Sequence, residues 1–189
     1  MTADGWPVAL SGVTETIVTT QRPDGRWNVA ALGLFDGESV TAKTWGHTRT
    51  RRGFHATGEG IVQFTQDPVD FVEAACSRRT DHNPILDSAD AWVRVSATSI
   101  ETTDEFERWH LEPLEARIET ERVPTTNRGY YAIIEATVGA SRLGVPEYDN
   151  DAIVARIEHA KDVVERCGGP RERAAWKRFT SLVDGLALD

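Results

Sequence analysis

Cysteine, lysine and long apolar runs are all scarce in this chain of 189 residues, and each scarcity closes off a class of protein. Only Cys76 and Cys167 occur, too few and too far apart for a disulfide framework or a C-x-x-C redox or metal motif. No apolar stretch approaches the roughly 18–20 residues needed to cross a bilayer, so no membrane partner is expected. The opening MTADGWPVALSG lacks the basic start and apolar core of a signal peptide, and with the cysteine usage this points to a reducing, cytoplasmic setting. The histidines His47, His55, His82, His110 and His159 form no H-x-x-H or H-E-x-x-H pair, so no metal site is expected. G-x-S-x-G and G-x-x-x-x-G-K-[ST] are missing too, which leaves hydrolysis and P-loop nucleotide chemistry without support.

Lysine is the rarest basic residue, three against eighteen arginines, and thirty Asp and Glu bring the formal net charge to -9. That balance fits a salt-adapted cytosol, in which an acidic surface stays hydrated while screening weakens its self-repulsion. Acids are densest over 81–121, which argues against a general nucleic-acid surface. TDHNPILDSAD within that region is rich in turn-formers and reads as a surface loop, although Asp81 and His82 stand side by side.

One segment inverts the charge. Between Glu38 and Glu59 there is no acid at all, while Lys43, Arg49, Arg51 and Arg52 are cationic and Thr48 and Thr50 alternate with the arginines. Hydroxyls, backbone N–H groups and guanidinium forks suit a phosphate dianion, because charge-assisted bonds are roughly twice as strong as neutral ones. One compact cluster matches a single phosphate better than a polyanion. From these residues alone, an exposed arginine-rich turn accounts for the segment equally well.

At this length and with 40% hydrophobic residues, the chain is expected to bury roughly two thirds of its unfolded surface. ETIVTTQRPDGRWNVAALGLF reads as a β-hairpin turning at Pro23, Asp24 and Gly25; SVTAKTWG and GIVQFT read as further strands. DPVDFVEAAC predicts a helix, with Asp67 as N-cap and Pro68 at the first helical position. AWVRVSATSIETTDE alternates as a strand, and HLEPLEARIETERVPTT continues the β pattern less cleanly. YYAIIEATVGASRL has β-branched Ile133 and Ile134 but also Ala132, Ala136 and Ala140 at four-residue spacing, which favours helix over strand. NDAIVARIEHAKDVVERCGG and the stretch from Pro170 to about Leu186 predict an αα-hairpin closing at Gly168-Gly169.

Two motifs in order carry a resemblance. IVTTQRPDGRWNVAALGLF resembles the first hairpin of FMN-binding split-barrel proteins, where a TT strand, a turn and an N-x-A-P strand lie along the flavin. About thirty residues on, HTRTRRGFHATGEGIVQFTQDP is similar to the flavin-reductase pattern K-D-T-x-x-N followed by T-G-E-F-x-V-N. Within that superfamily the chain looks most like the DUF447 family, and NRGYYAIIEATVGASRLG resembles its later segment.

The resemblance implies an α+β fold: a mainly antiparallel FMN-binding split β-barrel over 1–150 with an inserted helix near 67–78, and a C-terminal helical hairpin over 151–189. It implies FMN as cofactor. Thr50 takes the place of the phosphate-binding threonine, with His47, Thr48, Arg51 and Arg52 as neighbours. Gly53 stands where the pattern has asparagine. Asn28, Val29, Ala30 and Ala31 match the strand beside the isoalloxazine, with Ala31 in place of the usual proline and its N–H therefore free. Gln63 matches an asparagine that reaches the ring's polar edge. The resemblance further implies a homodimer with FMN near the subunit interface, where Asn127, Arg128 and Trp176 are candidate contacts, although a turn and a helix-packing tryptophan explain these three more simply. The implied function is an oxidoreductase acting through the flavin N5, with a small-molecule substrate or electron donor that no motif identifies. A non-catalytic flavin carrier and an anion-binding module without flavin are the alternatives.

Overall fold

A hairpin opens the fold. In the computed structural model, which describes residues 5–183, β1 (Val13–Gln21) and β2 (Trp27–Phe35) pair along their whole length, from Val13↔Phe35 to Gln21↔Trp27. Asp24 shapes the turn by accepting the Arg26 N–H at 3.1 Å, and the Gly25 N–H closes onto the Arg22 carbonyl at 3.0 Å. After β3 (Thr41–Trp45) comes α1 (Arg49–Thr57), then β4 (Glu59–Thr65), α2 (Pro68–Cys76), the two-residue β5 (Thr80–Asp81), and the long strands β6 (Ala89–Thr102) and β7 (Phe106–Ile118). Three helices follow: α3 (Arg128–Ala140), α4 (Asn150–Cys167) and α5 (Pro170–Val183).

Strand order β1-β4-β6-β7-β3-β2, with β2 returning to β1, closes six antiparallel strands into a barrel, and β5 adds to the edge of β2. Alternation fills it. Val18, Leu32, Leu34, Ala42, Val62, Val93, Val95, Ala97, Trp109 and Leu111 come from six strands into one cluster, which Trp6 and Phe54 join from outside the strands. Side chains as large as Trp109 and Phe54, both almost inaccessible, contribute about 2–3 kcal/mol each by burial.

The chain divides into two compact units, 1–66 with 78–122, and 67–77 with 123–189. The first is the barrel with α1; the second is helical. In the second, Val72 of α2 packs with Ile133, Ala136, Ile157, Val164, Ala175 and Phe179 of α3, α4 and α5. Asp67 caps α2 by accepting the Val69 and Asp70 N–H groups at 2.9 and 3.0 Å, and it also receives Arg171 of α5 at 2.7 Å. The sequence reading sets the division at about 150, whereas the units part between Arg122 and Val123. The reason is α3, whose four-residue row of Ala132, Ala136 and Ala140 belongs to the same core as α4 and α2.

Within 130–142 the chain is thus helical as far as Ala140, as its alanine spacing indicates, and turns at Ser141 and Arg142. The basic island is not the exposed turn that its residues alone allow: α1 is a nine-residue helix.

Candidate functional site

α1 begins at Thr48, an extended N-cap whose hydroxyl accepts the Arg51 N–H at 3.2 Å. It ends at Gly58, where a φ of 69° closes the helix through an N–H bond to the Phe54 carbonyl at 2.8 Å. Helix geometry leaves the N–H groups of Arg49 and Thr50 without an intrahelical acceptor. The positive end of the helix dipole therefore meets a first turn that contains no acid and is itself basic. That arrangement destabilises an isolated helix and is relieved by an anion.

More arginines gather there than the island contains. Burial first, and then the charges of Arg22, Arg78 and Arg52, push the Arg49 guanidinium below its ordinary value. Arg22 is neutralised by Asp24 in the hairpin turn. Among the described residues, Arg49, Arg52 and Arg78 have no carboxylate partner; Arg49 donates to the Arg78 carbonyl at 3.1 Å and Arg52 to the His47 carbonyl at 2.9 Å. Three guanidiniums left unneutralised around a helix N-terminus, in a chain of net charge -9, fit a phosphate. Arg49 belongs to the basic island already read from the sequence, whereas Arg22 and Arg78 do not; they arrive from a distant turn and from the residues ahead of β5, which local spacing does not register.

The sequence-derived residues fall into distinct roles. His47 and Thr48 are exposed beside the first turn. Arg52 is exposed as well. Thr50 is buried, and its hydroxyl lies 3.4 Å from the Asn28 amide nitrogen, which also stands 3.5 Å from the Thr20 hydroxyl. The backbone N–H of Thr50 is then the group it offers an anion. Arg51 is committed elsewhere, to the buried Glu107 at 2.6 Å and to the Gly46 carbonyl at 3.2 Å.

Gly53 has a packing role. It lies on the buried face of α1, where an added Cβ would stand 2.5 Å from the Thr20 Cβ and Oγ1. Close approach of α1 to β1 explains the glycine, and no side-chain amide fits there. Gln63 is likewise occupied: wholly buried, it donates to the Pro84 carbonyl at 3.0 Å and the Thr19 hydroxyl at 3.3 Å, and accepts the Leu86 N–H at 2.7 Å. It fastens the 82–88 loop to β4. That loop turns on Asp81, which accepts the His82 N–H at 2.7 Å.

On β2, Asn28 and Ala30 face the barrel interior, while Val29 and Ala31 alternate to the other side. Strand pairing on one edge of β2 stops at β5 with Asn28↔Thr80 and resumes at β3 with Leu34↔Ala42. Among the described residues the edge over 30–33 has no strand neighbour. The Val29 N–H points to this edge, bonding the Arg79 carbonyl at 3.2 Å, so by two-residue alternation the Ala31 N–H and C=O point there too. Ala31 lies three residues along β2 from Asn28, about 10 Å from the residue that touches Thr50.

The closed six-stranded antiparallel barrel with its extra strand and accompanying helices is a split β-barrel. Family models for the DUF447 proteins match both parts: the one described as "Protein of unknown function (DUF447) N-terminal domain" over residues 14–120, and "Protein of unknown function (DUF447)" over 127–180. The chain belongs to the DUF447 family. An FMN-bound protein of that family from Methanosarcina mazei has a similar structure, with a TM-score of 0.80 at 24% identity over 92% of this chain and 96% of that one. Weaker likenesses are a flavoredoxin from Methanosarcina acetivorans (TM-score 0.46, 13% identity, 62% and 75% covered) and an FMN-binding protein from Thermus thermophilus (TM-score 0.46, 14%, 61% and 78%). No helix of the described residues is long and apolar enough to cross a membrane.

Proposed function

We propose that the chain is an FMN-binding flavoprotein, an oxidoreductase that works as a cytoplasmic homodimer on a small-molecule substrate still to be identified. The observation that carries the reading is the trio of unneutralised arginines, Arg49, Arg52 and Arg78, around the N-terminus of α1. In this reading the Arg49 and Thr50 N–H groups, with Thr48, His47 and the arginines, would hold the phosphate. The open edge of β2, with the Ala31 N–H and C=O, would hold the isoalloxazine by its polar edge. Flavin so bound would supply hydride or electron transfer through its N5. Asn28 acts from beneath, tying β2 to α1 through Thr50 and so fixing the spacing between ring and phosphate. The exposed Trp45 and Ile100 of the barrel unit supply apolar surface for the second subunit.

The groups placed around the phosphate, the arginines, Thr48 and His47, serve binding, and no acid or base is assigned to the ring; a non-catalytic flavin carrier is therefore the second reading. Purified protein should be yellow and keep its flavin through dialysis, and anaerobic NADH or NADPH should bleach it if it is an enzyme. Failure with both nucleotides would favour the carrier, and a colourless protein that ignores added FMN would leave only an anion-binding module.

A further inference from the structure

Glu107 is an acid placed where an anion site has no use for one. It is 1% exposed on β7, and its Oε2 accepts from Arg51 Nε at 2.6 Å and contacts His55 Nε2 at 2.8 Å, while Thr102 donates to Oε1 at 3.4 Å. Arg51 and His55 stand one helical turn apart, so a single carboxylate grips one face of α1 at two points. Arg51 extends the grip by donating to the Gly46 carbonyl, just ahead of the N-cap. The Trp109 ring packs against His55 and Phe54 at 5.0 and 5.1 Å, and its N–H donates to Thr44 at 2.9 Å, so the strand beneath is fixed as well.

Coulomb's law alone makes this acid a handicap, since a negative charge under a basic helix weakens the pull on any anion at its end. Burying it also costs several kcal/mol unless it is well paired. We propose that Glu107 is a positioning residue for the FMN phosphate: it draws Arg51 and His55 onto β7, fixes the first turn of α1, and makes Arg51 part of this anchor and not a phosphate ligand. The ligand rests on the FMN reading above; the anchor does not.

The two effects of Glu107 have opposite signs, which makes a titration decisive. FMN and riboflavin are titrated against the wild type, Glu107→Gln, Arg51→Gln and the double variant. Each single variant should weaken FMN about tenfold, leave riboflavin within about twofold, and the double variant should be no weaker than either, because the two residues act as a unit. Tighter FMN binding by Glu107→Gln would overturn the proposal, as would a further loss when Arg51→Gln is added to it. Hydrogen exchange of the 49–57 amides without ligand should rise about tenfold in Glu107→Gln; unchanged exchange would refute the anchor whether or not FMN binds. If Glu107→Gln does not fold, His55→Gln removes the more exposed contact and should raise the same exchange, and an unchanged rate there again refutes the anchor. A wild type that binds riboflavin as well as FMN would count against the FMN reading and leave the exchange result to judge the anchor.

Discussion

Gly53 lies where α1 approaches β1, and an added Cβ there would stand 2.5 Å from the Thr20 Cβ and Oγ1. The resembling pattern places asparagine there, yet the position has no room for a Cβ beside Thr20. Gly53→Ala should destabilise the fold by about 1–3 kcal/mol through overpacking, and Gly53→Asn by more, with no gain in flavin affinity; chemical denaturation and a flavin titration check both. Gln63→Leu should cost about 1–3 kcal/mol because it leaves the Leu86 N–H and Pro84 carbonyl unpaired in a buried place. In the helical unit, burial and then the charge of Glu73 push the Cys76 thiol up to about 11. Cys76 should therefore react with a thiol reagent at pH 8 far more slowly than the exposed Cys167.

Elements with a regular apolar period were legible in the sequence, and α1 was not. The hairpin, β3, β4, β6, α2, α4 and α5 all announce themselves by alternation, turn residues or caps. α1 buries Thr50, Gly53 and Phe54, only one of them a large apolar side chain, so no stripe at helical spacing exists to be read. Besides its two caps, α1 is held by contacts of Arg51 and His55 with Glu107 and of Phe54 with Trp109, which join positions some fifty residues apart, beyond the reach of local pattern. Burial tends to raise the Glu107 carboxyl, but hydrogen bonds from Ser99 and His55 and the charges of His55 and Arg51 outweigh it and hold the group below its ordinary value. A carboxylate lowered on folding stabilises the protein above its unfolded value, and that stability is lost as the pH falls. Unfolding followed by circular dichroism should show the acid limb, from about pH 4.5 downward, flattened in Glu107→Gln relative to the wild type.

At the scale of the whole molecule, the chain passes between its two units three times, because α2 leaves the barrel segment to join the helical core. A cut at 122 therefore strips Val72 and its neighbours of their partners. The fragment 1–122 should expose that face and aggregate, whereas the full chain should stay soluble at the same concentration, as light scattering would show. The barrel unit brings together what the sequence scatters: the hairpin's Arg22, the island's Arg49 and Arg52, and Arg78 ahead of β5 surround one helix end, near the start of the strand whose edge stands open. Comparing FMN with riboflavin, which lacks only the phosphate, tests this assembly most directly. By fluorescence titration the wild type should prefer FMN by roughly 100-fold, and Arg49→Ala with Arg52→Ala should abolish most of that preference while leaving riboflavin affinity unchanged. Equal affinity for the two flavins, or a preference that survives loss of both arginines, would contradict the account.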